Sequence, residues 1–171
     1  MQHALKLLAI LPLAYASSAV ADRTAPSPGT VPARATNACR PSGSVVFEID
    51  HRVDPGAKIA TSAVKVFGNG AWTRDETDGD GKRGAQRTGC LAKPDVQRLQ
   101  TTLAGATWKI NVKGIRCMAM SAEFTVYQVH GKTVFTRRLC NGETLDENSR
   151  TKLDAAVAMV EAEVDKTATK P

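Results

Sequence analysis

Two runs of alternating apolar and polar residues flank His130-Gly131, and a cysteine stands at the outer end of each. Residues 117–140 read CMAMSAEFTVYQVHGKTVFTRRLC. Val, Phe, Tyr and Thr dominate both runs, which suits a pleated, half-buried surface and predicts a β-hairpin. A two-residue loop at His130-Gly131 places Val129 opposite Lys132, with Gly131 supplying the positive φ of such turns. In that register Val126 faces Phe135, Ala122 faces Leu139 and Phe124 faces Arg137, and Met118 and Met120 continue the same face. That face is the expected core side. The opposite face sets Glu123 against Arg138, Thr125 against Thr136 and Tyr127 against Val134. This is the strongest structural signal in the chain, and the other elements are expected to cover it.

The rest of the chain follows the same two periods. In residues 44–53, SVVFEIDHRV, the residues Val45, Phe47, Ile49, His51 and Val53 share one side, which predicts a strand with one buried face. Asp54-Pro55-Gly56 then predicts a turn. Residues 59–76 read as a second hairpin about Asn69-Gly70, with Phe67 opposite Trp72 and Lys65 opposite Arg74. Residues 77–89, TDGDGKRGAQRTG, read as a long polar loop made flexible by Gly79, Gly81, Gly84 and Gly89 and anchored at Cys90. Pro94 and Asp95 open a helix whose apolar stripe is Val96, Leu99 and Leu103, with Gly105 as its stop. Thr144 and Glu147 have capping-box spacing before a second helix lined by Leu153, Val157, Val160 and Val164 and running to about residue 165. The expected fold is α+β: an antiparallel sheet of about four to five strands built from hairpins, with two helices packed on one face, braced by disulfides.

The ends of the chain divide it further. Residues 1–21, MQHALKLLAILPLAYASSAVA, carry Lys6 before an apolar run and finish in Ala19-Val20-Ala21, the pattern of a secretory signal peptide. The run is short and broken by Pro12, and no later segment is apolar enough to span a membrane. Residues 22–43 are rich in Pro, Ala, Ser and Thr and read as a flexible segment. Residues 44–166 read as a single globular domain, and residues 167–171 as a frayed tail. The expected location is periplasmic or extracellular, and a monomer is expected.

Export changes the reading of the cysteines. All four, Cys39, Cys90, Cys117 and Cys140, follow the signal segment, and an even count in an exported chain argues for two disulfides. Three pairings are possible, and the reading leans slightly to Cys39–Cys90 with Cys117–Cys140. No CxxC pair is present to suggest zinc or redox chemistry.

Charge and motifs narrow the function classes. The formal charge is +6, and loss of Lys6 with the signal segment leaves +5. The basic residues are scattered and few aromatics interleave with them, so nucleic-acid binding is not expected. Acids alternate in Glu76-Thr77-Asp78-Gly79-Asp80-Gly81, which resembles the first half of a calcium loop. The twelfth position from Glu76 is Arg87, however, and Lys82 and Arg83 add positive charge. Glu76, Asp78 and Asp80 are therefore weak metal candidates, calcium is a minor alternative, and no cofactor is expected. HExxH, GxSxG and a phosphate-cradling glycine loop are all missing. The best reading is a non-catalytic exported domain that binds an unknown protein or envelope component. One alternative is a protease inhibitor presenting residues 77–89 through Lys82, Arg83 and Arg87. Another is an envelope protein contacting anionic polymers, and a third is a hydrolase with an unrecognised site, for which His51 is the residue to test.

Overall fold

The computed structural model describes residues 39–114, 121–140 and 142–168. The signal segment, most of the Pro/Ala-rich segment, Cys117, Met118, Met120 and the last three residues lie outside them. The fold is α+β. Its main sheet has six antiparallel strands, β1 (Val45–Val53), β2 (Thr61–Phe67), β3 (Ala71–Thr77), β4 (Arg87–Cys90), β6 (Glu123–Val129) and β7 (Lys132–Arg138), in the order β4-β3-β2-β1-β6-β7. A separate two-stranded sheet pairs β5 (Ile110–Val112) with β8 (Glu143–Leu145). Helix α1 spans Lys93–Ala104 and α2 spans Glu147–Ala168. The main sheet is larger than expected because β4 is a four-residue strand with no alternation long enough to read, and the second sheet went unread because β5 and β8 have three residues each.

The centre of the sheet is β1, while the hairpin β6–β7 forms one side of it. Residues Phe47 and Ile49 of β1 join Val64, Val66, Trp72, Tyr127, Val129 and Phe135 in one hydrophobic cluster with Val96, Leu99 and Leu103 of α1 and Leu153, Ala156, Val160 and Val164 of α2. Phe47, Val66, Trp72, Leu99 and Leu153 are fully buried. Burying a side chain of this size stabilises by roughly 1.5–3 kcal/mol.

Two hairpin registers differ from expectation by one residue. His130 and Gly131 both have positive φ, 49° and 75°, and Val129 does pair with Lys132. Val134 then bulges, so Tyr127 pairs with Phe135 and Phe124 with Arg138. A one-residue shift exchanges the faces of everything beyond it. The bulge brings Phe135 opposite Tyr127, stacked at 6.5 Å. Tyr127 and Val129, beside Ile49 and Phe47 of β1, join the core cluster, Val126 is buried on the other face, and Leu139 is exposed. In the β2–β3 hairpin, Gly68 joins the loop. The Gly70 N–H donates to the Phe67 carbonyl at 2.9 Å with Gly70 at φ +86°. This three-residue loop pairs Trp72 with Val66 and Arg74 with Val64, which sends Trp72 inward and separates Lys65 from Arg74.

Two further corrections concern loops and caps. The 77–89 stretch is ordered by hydrogen bonds instead of being one long flexible loop. Thr77 bridges to Arg83, and Arg87–Cys90 adds to the sheet beside β3. The cap of α2 is Asp146, not Thr144, which belongs to β8. Asp146 Oδ1 accepts the Ser149 N–H at 3.2 Å, and Thr107 Oγ1 donates to Asp146 Oδ2 at 3.0 Å. Ser149 is fully buried, which seats this helix start against the 107 segment. As expected, Asp54-Pro55-Gly56 forms a turn, closed by the Ala57 N–H to the Asp54 carbonyl at 3.1 Å.

Cys39 and Cys90 form a disulfide with Cα atoms 5.5 Å apart. It spans 51 residues and ties the start of the domain to β4, a closure that stabilises by roughly 4 kcal/mol in the chain-entropy account. Cys140 is also disulfide-bonded. Beside Cys90, the Trp72 indole lies across Gly89, its cross-strand partner. A Cβ at position 89 would sit 2.5 Å from the ring.

Two predictions test this frame. Gly89→Ala should cost about 2–3 kcal/mol in denaturant unfolding, and the cost should shrink when combined with Trp72→Phe, which removes the crowded ring edge. Additive losses would mean that ring contact is not the cause. The Ser149 hydroxyl, above all, holds the Asp146 carboxyl below its ordinary value of 3.8. Its stabilisation is then complete above about pH 3.8 and lost as pH falls through the lower folded value. Asp146→Ala should lower the unfolding midpoint at pH 7 by roughly 3–8 °C, and the gap to wild type should narrow as the pH falls below 3.8.

Candidate functional site

Antiparallel pairing in register lines up side chains of one face into rows that cross the strands. The row Gly89–Trp72–Val66–Phe47–Val129 is apolar. The next row is Arg87–Arg74–Val64–Ile49–Tyr127–Phe135, apolar except at its β3–β4 end. The third is Glu76–Ser62–His51–Thr125–Arg137, polar throughout. None of its five residues is buried. The face that begins as the floor of the core thus ends as an open polar ledge.

Ion pairs link this face of the sheet to α2. Arg74 Nη1 lies 3.8 Å from Asp165 Oδ1. Arg137 Nη2 donates to Asp154 Oδ1 at 2.9 Å, with its guanidinium 5.3 Å over the Tyr127 ring. Burial pushes the Tyr127 phenol above its ordinary value, against the opposing pull of Arg137. In the middle of the row His51 Nδ1 lies 3.5 Å from Thr125 Oγ1, and Nε2 lies 3.7 Å from Glu123 Oε2. These are loose contacts, and His51 has no directed acid–base partner of catalytic geometry.

At the β3 end a cleft of about 470 Å3 opens between Ala60–Ser62 and the 77–84 turn. Ser62, Arg74 and Glu76 meet Lys82 and Arg83 there. A second cleft of about 490 Å3 adjoins it and is lined by Lys58 and the Asp78–Gly81 turn. Two of the three acids lining the clefts, Glu76 and Asp78, are committed to protein partners, while Asp80 stands exposed on the turn. Glu76 Oε1 accepts from Arg87 Nη2 at 2.8 Å and lies 2.7 Å from Arg74 Nε. The Arg74 contact is ionic, since its N–H does not point along a hydrogen bond. Asp78 Oδ1 accepts the N–H groups of Asp80 and Lys82 at 3.0 and 2.9 Å, which holds the turn closed.

The metal candidates Glu76, Asp78 and Asp80 are therefore not gathered about one point. Among the described residues no group of three His, Cys, Asp or Glu side chains is placed to hold a metal ion. Of the basic trio, Arg87 is paired to Glu76, whereas the side chains of Lys82 and Arg83 are exposed and make no ion pair among the described residues. Sequence reasoning placed His51 on the inward face but missed Ser62, Arg74 and Thr125. The signal was there: each is a polar residue continuing the inward parity of its strand past the apolar positions. No family model matches the chain, and no curated protein or solved structure is significantly similar to it.

The Arg74–Glu76–Arg87 network has a checkable signature. Glu76→Gln should lower stability by about 1 kcal/mol at low ionic strength, a modest figure because all three side chains are partly solvated. Denaturant titrations should show the loss fading as salt rises. A loss independent of salt would assign Glu76 a packing role.

Proposed function

We propose that this chain is an exported, non-catalytic binding domain that uses the paired clefts around the 77–84 turn to hold an anionic group of its partner. One observation carries the reading. Lys58, Lys82 and Arg83 surround the clefts without ion-pair partners among the described residues, while of the three acids there Glu76 is paired to arginines, Asp78 is spent on the turn and Asp80 alone is exposed without a partner. The cations of the two linings outnumber the acids four to three, and a carboxylate or phosphate entering beside Lys82 and Arg83 meets cations without first breaking an internal pair. Calcium has no part in this reading.

Export is supported by the signal pattern of residues 1–21 and by the Cys39–Cys90 bond, which suits an oxidising compartment. Among the described residues no helix is long and apolar enough to cross a membrane. The shared cluster of strand and helix residues supports the placing of α1 and α2 on one face of the sheet, which leaves the clefts at its uncovered end. The partner in this reading is an envelope polymer. Protease inhibition is the second reading, favoured by the rigid, Asp78-capped presentation of Lys82 and Arg83. It requires that a trypsin-like protease be inhibited without cleaving the chain after Arg83.

The test is binding of the oxidised mature protein to polygalacturonate by calorimetry at low and high salt. The double substitution Lys82→Ala/Arg83→Ala should weaken binding at least tenfold, and high salt should weaken the wild type similarly. Both side chains are exposed, so the unfolding midpoint should not move. Unchanged affinity in the variant would sink the proposal.

A further inference from the structure

The polar ledge continues from the cleft across the sheet, and its chemistry differs from the cleft's. Glu76, Ser62, His51, Thr125 and Arg137 stand on five adjacent strands, β3, β2, β1, β6 and β7, a span of about 19 Å at the strand spacing of an antiparallel sheet. Ser62 and Thr125 offer hydroxyls that donate and accept, and the His51 ring does the same. Glu123 adds an acceptor beside His51. Only the Glu76 end adjoins unpaired cations.

That pattern selects among polymers. A chain with a negative charge on every unit would set its charges against Glu123 at the middle of the ledge. A chain of hydroxyl groups would find donors and acceptors along its whole length. The nearest aromatic ring on this face, Tyr127, is 3% exposed, so contact is by hydrogen bonding and not by stacking on a ring. We propose that the ledge is a glycan-binding groove, which seats a sugar chain across the strands with one acidic sugar unit in the Lys82–Arg83 cleft. This rests on the anion-binding reading of the cleft and adds the class of ligand and its direction. Ser62, His51 and Thr125 are its contact residues, and Arg137, shared with Asp154, marks its far end.

The experiment compares galacturonic acid, its oligomers from dimer to hexamer, neutral cello-oligosaccharides, and neutral chains carrying one terminal uronic acid. Affinities are measured by calorimetry on the oxidised protein. The singly acidic chains should bind more tightly as they lengthen, levelling off near the 19 Å span, and should outperform fully acidic chains of equal length. His51→Ala should remove about tenfold of that gain, and Ser62→Ala or Thr125→Val about threefold each. His51→Ala and Thr125→Val should leave the binding of galacturonic acid itself unchanged, since its contacts are in the cleft, which of the three only Ser62 lines. Unfolding midpoints of the variants control for a merely structural effect, and Thr125→Val preserves strand preference and volume. Affinity independent of length, or length dependence untouched by all three substitutions, would overturn the groove while leaving the cleft. Failure of every acidic probe to bind would overturn both. Equal binding of neutral chains would remove the acid requirement, and with it the cleft reading and the proposed direction.

Discussion

The packing of one half of one sheet face governs this molecule. Phe47, Val66 and Trp72 are fully buried on neighbouring strands, and Trp72 reaches across Gly89. Burial of this kind is the main favourable term in folding, and it tolerates little change in volume. Because α1 and α2 supply the other side of that cluster, the strands must alternate apolar and polar here. Two rows further along the same strands, the demand ends and polar side chains take over. The cleft and the ledge exist because the cover is shorter than the strands.

That arrangement explains which features were legible in the sequence. The strand at 45–53, both helices and the turns at 54–57 and 130–131 follow from local patterns, and those patterns act within a few residues. The faces of the two hairpins did not follow. In residues 123–129 both parities carry apolar residues: Phe124 and Val126 on one, Tyr127 and Val129 on the other. The choice between them is made by pairing with β1, which sets Tyr127 and Val129 beside Ile49 and Phe47, and a bulge at Val134 then brings Phe135 to the same face; neither has a composition cue in this stretch. Counting apolar residues along the whole strand misled, because Glu123 and Thr125 share the inward parity yet lie beyond the helical cover.

The site was half visible for a related reason. Lys82, Arg83 and the acids before them stood out as a charged, glycine-rich stretch. Whether those acids were free was a question of tertiary pairing. Glu76 is held by Arg87, eleven positions on, and by Arg74. Asp78 spends its carboxylate on the turn that displays Lys82. What resembled a cation loop is thus a scaffold that leaves cations exposed. Ser62 and Thr125 continue the inward parity of their strands, but that they flank His51 follows only from β1 lying between β2 and β6.

The position of β1 has a kinetic consequence. Its pairing with β2, and that of β2 with β3, joins neighbours in sequence, and so does the pairing of β6 with β7. The pairing of β1 with β6 closes a separation of 74 residues at His51 and Thr125. Local hairpins form in microseconds, whereas closure over such a distance must first overcome chain entropy. Assembly is therefore a meeting of two preformed halves along a single seam. Until that seam closes, the edge of β1 and the apolar side chains beside it stand open to other chains. The ledge crosses the seam between His51 and Thr125, so the proposed binding surface is completed only when that seam closes.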